Sequence, residues 1–207
     1  MLFRSNNENK YIEKIYLLNN EIFNLDFIKN NSKIKQILIS NDPNYKLKYD
    51  DAINFINDKL KNKICILSNS DIYFDNSLSK IENNDLSNEC FALLRYDEDI
   101  YQNKKIFTRH DIPRDDSQDS WIFRSPLNIN IENINYSFGT LGCDSLFANE
   151  ISESNIKLSN PSYDIITTHV HLTDFRTYNI DNRIHGKYCL LEPCKLNEYP
   201  NNKFMDY

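Results

Sequence analysis

The sequence predicts a single α/β domain, a mostly parallel mixed sheet flanked by helices. Three observations lead there. Short β-type runs alternate with segments of helical periodicity along 207 residues. The run Ile64-Cys65-Ile66-Leu67 lacks polar alternation, the pattern of a strand covered on both faces in a parallel sheet. No repeat or linker divides the chain, and one domain of this length can bury a real core.

The elements follow in order. Ile15-Tyr16-Leu17-Leu18 is a strand that ends in polar Asn19-Asn20, and Ile34 to Ile39 is a second. After a loop at Asp42-Pro43-Asn44, Asp50 reads as the N-cap of a helix with Ile53, Ile56 and Leu60 on one face. Ile64 to Leu67, Phe91 to Leu94 and Trp121 to Phe123 are three further strands. Gly142-Cys143 leads to Asp144, an expected N-cap for a helix from about Ser145 to Ser152. Asp164 to Val170, rich in β-branched residues, is the last clear strand. From Asp181 onward, with Pro193 and Pro200, the chain reads as an irregular tail. Only 14 residues precede Ile15, so Leu2-Phe3-Arg4 is at most a vestigial strand.

Composition narrows the function. A net charge of −6 argues against nonspecific binding to nucleic acid or to an anionic membrane as the main task. No run approaches the ~20 apolar residues of a membrane span, and the first residues lack the apolar stretch of a secretory signal. Five cysteines, an odd number without a CxxC pair, fit reduced thiols in a cytoplasmic compartment better than disulfides or zinc. The excess of Asn, Ile and Lys, with three Gly in all, has the look of an AT-rich genome such as those of some large viruses and parasites. Neither a GxGxxG nor a GxxxxGK[ST] loop is present, and no nucleophile elbow, which argues against dinucleotide, P-loop and triad-hydrolase chemistry.

Five polar blocks remain, most of them at expected strand ends, where α/β sheets gather ligands. They are Asn69-Ser70-Asp71 leading to Asp75, then Arg95-Tyr96-Asp97, then Arg114 to Trp121 with Ser117, Gln118 and Asp119, then Gly139 to Asp144, and Thr167 to His171. Asp75 reads as a turn residue. Two of the three glycines fall in the fourth block, a sign of a demanding backbone. In the fifth, His169 and His171 at i and i+2 on a strand point the same way, an arrangement suited to metal binding. Arg176 follows, a residue type suited to diphosphate oxygens. Without a Gly-rich cradle, a bound phosphate needs another source of positive charge, such as a metal held by a carboxylate.

These blocks resemble the GT-A type nucleotide-sugar glycosyltransferases. More narrowly, they resemble small domains of that kind sharing NSDIYFD, ALxRWD-like, DSQDxWIF, GxxGCDN and NPSxxIxTxHxH stretches. Here those are Asn69 to Asp75, Ala92 to Asp97, Asp116 to Phe123, Gly139 to Asp144 and Asn160 to His171. The resemblance implies a GT-A-like (Rossmann-like) fold. It implies transfer of a sugar from a UDP- or GDP-sugar to a hydroxyl of a glycan or protein-linked glycan acceptor, with inversion and with Mn²⁺ or Mg²⁺. Asp71 would hold the metal within a D-x-D-like motif, with His169 or His171 completing its coordination. Asn69 takes the place of the motif's first Asp and Ser70 that of its middle residue. Asp144 matches the acceptor-activating base, although a helix N-terminus and a nearby cation are expected to lower its pKa. Ser117, Gln118 and Asp119 would line the sugar pocket, and Arg95, Asp97 and Arg176 the donor site. Two departures, Asn69 and the short front, leave an alternative: a non-catalytic carbohydrate-binding or scaffold protein on the same fold. A metal-dependent phosphoesterase would need more clustered ligands than the sequence offers.

Overall fold

A computed structural model describes residues 2–28, 31–99, 101–170 and 180–207. In chain order it contains α1 (Leu2–Glu8), β1 (Ile15–Asn19), β2 (Ile34–Leu38), α2 (Tyr49–Lys59), β3 (Ile64–Ser68) and β4 (Ile72–Phe74). Then come β5 (Glu89–Leu93), β6 (Tyr96–Glu98), β7 (Lys104–Ile106), β8 (Thr108–Arg109), β9 (Ile112–Pro113) and β10 (Ser120–Arg124). The last are α3 (Cys143–Glu153), β11 (Lys157–Ser159), β12 (Thr167–Val170), β13 (Lys187–Leu190) and β14 (Lys203–Asp206). The architecture is mixed α/β, with several small sheets and few helices.

Two four-stranded sheets organise it, in the orders β11-β5-β10-β3 and β4-β12-β6-β7. The first is covered on both sides, and its alternation divides the core. Cys65, Leu67, Cys90, Ala92, Trp121 and Phe123 face a cluster that includes Ala52, Ile53 and Ile56 of α2 and Phe147, Ala148 and Ile151 of α3. Phe91, Leu93 and Ile122 face the other way, onto Ile72, Phe74, Leu78, Ile81 and Ile165. Trp121 meets Phe147 edge-on, with ring centroids 4.7 Å apart. Such aromatic pairs contribute ~0.5–1.5 kcal/mol beyond their burial.

The expectation of a mostly parallel sheet is corrected. β1/β2, β5/β11 and β6/β12 run parallel. β10 runs antiparallel to both β3 and β5, and β4/β12, β6/β7, β8/β9 and β13/β14 are antiparallel as well. Cover on both faces is what erases polar alternation in a sequence, and it does so whichever way the strand runs. Even β3 is not wholly covered, since Ile64 at its start is exposed.

Smaller corrections follow. Lys48, not Asp50, occupies the N-cap of α2, and its backbone N–H donates to Asp51 Oδ2 at 3.0 Å. The 181–207 segment is not an irregular tail, because β13 and β14 pair across the proline-containing stretch between them. Leu2-Phe3-Arg4 lies in helix α1, not in a strand. That helix covers an edge. Asn6 Nδ2 donates to Ile72 O at 2.9 Å, and Phe74 N donates to Asn6 Oδ1 at 3.0 Å. One side chain thus stands in for a neighbouring strand along β4. Asp75 does cap the turn after β4, accepting from Ser77 N at 2.9 Å.

Candidate functional site

The antiparallel course of β10 decides which polar residues meet. Ser120 at its start is level with Ser68 at the end of β3 and with Leu93 at the end of β5. Asp119, one residue earlier, therefore lies beside Asn69 and Arg95. Asn69 Nδ2 donates to Asp119 Oδ1 at 3.0 Å, and Asn69 N donates to Asp119 O at 3.1 Å. Arg95 Nη1 donates to Asp119 Oδ1 at 3.2 Å and Oδ2 at 3.3 Å, and Arg95 Nε to Asp97 Oδ1 at 2.9 Å.

The second sheet supplies the rest. In register, His169 of β12 stands opposite Asp97 of β6 on one side and Ile72 of β4 on the other. Its Nδ1 lies 3.2 Å from Asp97 Oδ1, and its Nε2 lies 3.0 Å from Asp71 Oδ2. Asn69, Asp119, Arg95, Asp97, His169 and Asp71 thus form one continuous chain of polar contacts across the two sheets.

The electrostatics follow from these contacts. Hydrogen bonds to Asp71 and Asp97 raise the His169 pKa to about 9 against the effect of burial, so the ring is an imidazolium at neutral pH. Burial pushes the Asp71 carboxyl up, but the bond and charge of His169, with Arg95, outweigh it and leave the group lowered. Asp119 is buried, and that burial raises its carboxyl despite the Arg95 charge.

Asp144 is the fourth carboxylate. It does not cap its helix. Gly142 does, in the left-handed conformation at φ +89°, and Asp144 is the second residue of α3. Its Oδ1 accepts from the Tyr49 hydroxyl at 3.0 Å and from Cys143 Sγ at 3.4 Å. Burial, then the negative charge of Asp119, raise its pKa to about 7 against the Tyr49 hydrogen bond. The expected lowering by helix and cation is overturned. Desolvation of a half-buried carboxyl among other carboxylates is the larger effect.

The remaining expected residues are placed as follows. Ser70 is exposed and Ser117 half-buried. Gln118 is buried, with Nε2 donating to Asp115 O at 3.0 Å and Oε1 without a partner among the described residues. His171 and Arg176 lie outside the described residues. Sequence reasoning missed Tyr49, for which the sequence carries no signal beyond its place at the start of a helix. It also missed Phe107, whose ring lies 4.0 Å from the Arg95 guanidinium and 5.1 Å from that of Arg114. Arg114 in turn holds Asp116 by two bonds of 2.8 and 2.9 Å.

The fit of the implied metal turns on Asp71. Its Oδ1 is buried without a partner among the described residues. No group of three or more His, Cys, Asp or Glu among those residues is arranged to hold a metal ion. Both His169 ring nitrogens already meet carboxylates. A single available carboxylate oxygen does not suit a metal held by protein alone. It does suit Mg²⁺ or Mn²⁺ shared with the phosphates of a substrate, for which one or two carboxylates suffice.

Two clefts elsewhere on the surface, beside Arg124 and beside Asn149, share no residue with this network. All five cysteines are free and buried. Among the described residues no helix is long and apolar enough to cross a membrane. Comparison of the chain with protein families, curated proteins and solved structures gives no match.

Proposed function

We propose that the chain is a divalent-metal-dependent glycosyltransferase on a GT-A-like fold. It moves a sugar from a UDP- or GDP-sugar to a hydroxyl of a glycan or protein-linked glycan acceptor, with inversion. The observation that carries this reading is Asp144. A carboxyl with a pKa of about 7, held beside a network of opposite charges, is matched to general-base work at neutral pH. The Tyr49 hydroxyl fixes Oδ1, which leaves Oδ2 to take the acceptor proton.

The charge balance supports a cation at the site. Asp71, Asp97 and Asp119, joined by Asp144 as it ionises around pH 7, outnumber Arg95 and His169. A diphosphate approaches such a set only with added positive charge. Asp71 would hold the metal through Oδ1 together with the donor phosphates. When bound, the metal neutralises charge growing on the leaving diphosphate. Arg95 and His169 hold Asp97, Asp119 and Asp71 in place by hydrogen bonds, and His169 favours the ionised form of Asp71.

The test is release of UDP or GDP from a panel of nucleotide sugars, with Mn²⁺ and simple glycoside acceptors. The wild-type chain is expected to release the nucleotide. Asp144→Asn should lower the rate by ~10²-fold or more. Absence of release from every donor would refute the reading.

A second reading, a non-catalytic carbohydrate-binding protein, draws on the use of Asn69 as a brace for Asp119 rather than as a ligand. Donor hydrolysis at any rate that Asp144→Asn abolishes would exclude it.

A further inference from the structure

The stretch from Asn160 to Thr167, which leads into β12, meets the charged network from behind. It does so where the chain changes sheets. β5 belongs to the first four-stranded sheet and β6 to the second, and Leu94-Arg95 between them lies in neither strand. Leu94 is buried, so its backbone groups need partners that no ladder supplies. Leu94 N donates to Ser162 Oγ at 2.8 Å and to Asn160 Oδ1 at 3.2 Å. Leu94 O accepts from Thr167 Oγ1 at 3.2 Å. Asn160, Ser162 and Thr167 are all buried. Asn160 is itself anchored: its Nδ2 donates to Leu191 O at 3.0 Å, and its O accepts from Cys194 N at 2.8 Å.

The next residue is Arg95. Its Nε reaches Asp97 of the second sheet and its Nη1 reaches Asp119 beside the first. Its carbonyl accepts from Phe107 N at 3.0 Å. A planar fork that bonds carboxylates on two sides tolerates little movement of its own backbone. Thr167 also opens β12, which carries His169 two residues later. One hydroxyl thus joins the strand of the His169 ring to the peptide next to the guanidinium.

We propose that Asn160, Ser162 and Thr167 are positioning residues, which set Arg95 between Asp97 and Asp119 through the Leu94 peptide. The proposal concerns the network itself and holds whether or not a nucleotide sugar is the substrate.

The test is NMR of the Arg95 Nε–H signal in the ¹⁵N-labelled full chain, assigned by its loss in Arg95→Lys, together with the urea midpoint. Thr167→Val keeps the branched side chain and removes the hydroxyl. In that variant the Arg95 signal should move, and its exchange with solvent should rise ~10-fold or more, as for a weakened bond to a carboxylate. Thr167→Ser, which restores the hydroxyl, should return both towards wild type. Asn57→Ala is the control. Asn57 holds Leu127 N and O by bonds of 2.8 and 3.0 Å at another place in the fold. Its loss should lower the midpoint and leave the Arg95 signal where it was. An unmoved Arg95 signal in Thr167→Val, with a lowered midpoint, would make the cluster structural only and overturn the proposal. An equal change in Asn57→Ala would overturn it too, since general loosening would then suffice. If Thr167→Val does not fold, Ser162→Ala carries the same comparison, because Asn160 Oδ1 still accepts from Leu94 N. Under the transferase reading, Thr167→Val should also weaken Mn²⁺-dependent binding of UDP or GDP severalfold. A wild-type chain that binds neither nucleotide defeats that reading alone, and the Arg95 signal still decides this one.

Discussion

His169 joins two carboxylates through one ring. With its pKa raised to about 9 from 6.5, the folded state binds a proton that the unfolded chain releases. The stabilisation is complete below pH 6.5 and is lost as pH rises through about 9. Its size is on the order of 2 kcal/mol, allowing for the half-exposed Asp71. Asp144 has the same sign for the opposite reason. Its pKa lies at about 7 against 3.8, so the folded state disfavours its charge and stability falls as pH rises from about 4 to 7. Urea midpoints measured from pH 4 to 9 should fall for the wild type. In His169→Ala the part of that fall between pH 6.5 and 9 should disappear. Asp144→Asn should be more stable than wild type at pH 8, by on the order of 1–3 kcal/mol, while losing transfer. Loss of both stability and transfer at pH 8 would mean that Asp144 is a structural carboxylate.

At the scale of elements, the N-terminus of α3 is set by the strand ribbon after it. A Cβ at Gly142 would lie 1.8 Å from Tyr188 Oη, where φ is already +89°. Tyr188 is buried, bonds Ile184 O and packs its ring 4.7 Å from that of Tyr207. Gly142→Ala should therefore cost ~2 kcal/mol or more by chemical denaturation. The double variant with Tyr188→Ala should recover only part of its own added cost, because the backbone strain remains. Asn6→Ala, which removes two hydrogen bonds from the edge of β4, should cost ~1–2 kcal/mol in the same assay. Elements with a strong apolar signature were legible: β3, β5, β10 and the α2 face of Ile53 and Ile56 fall within a residue or two of expectation. Strand direction was not, since two-sided burial leaves the same trace in either sense. The consequence is large, because a strand of five residues spans ~17 Å. Had β10 run parallel, Asp119 would lie at the far end of the sheet from Asn69 and Arg95. The pairing of β13 with β14 was hidden for a different reason, as both strands are short and the stretch between them carries two prolines and no tight-turn signal.

For the molecule as a whole, two sheets each contribute half of one site. The first brings Asn69, Arg95 and Asp119, and the second brings Asp71, Asp97 and His169. Six of the residues singled out in the sequence meet there, because strand ends are where a sheet leaves polar groups unpaired. Their couplings depend on register and on burial, which no local stretch encodes; the raised pKa of Asp144 is the clearest case. Carboxylates in excess of cations give the central claim its measurable consequence, a nucleotide site that works only with a metal. Calorimetric titration of UDP and GDP into the wild-type chain, with and without Mn²⁺, measures it directly. Binding of one nucleotide is expected with Mn²⁺, at least ten times weaker without it, and abolished in Asp71→Ala. Absence of binding under either condition, or equal affinity with and without metal, would contradict the account.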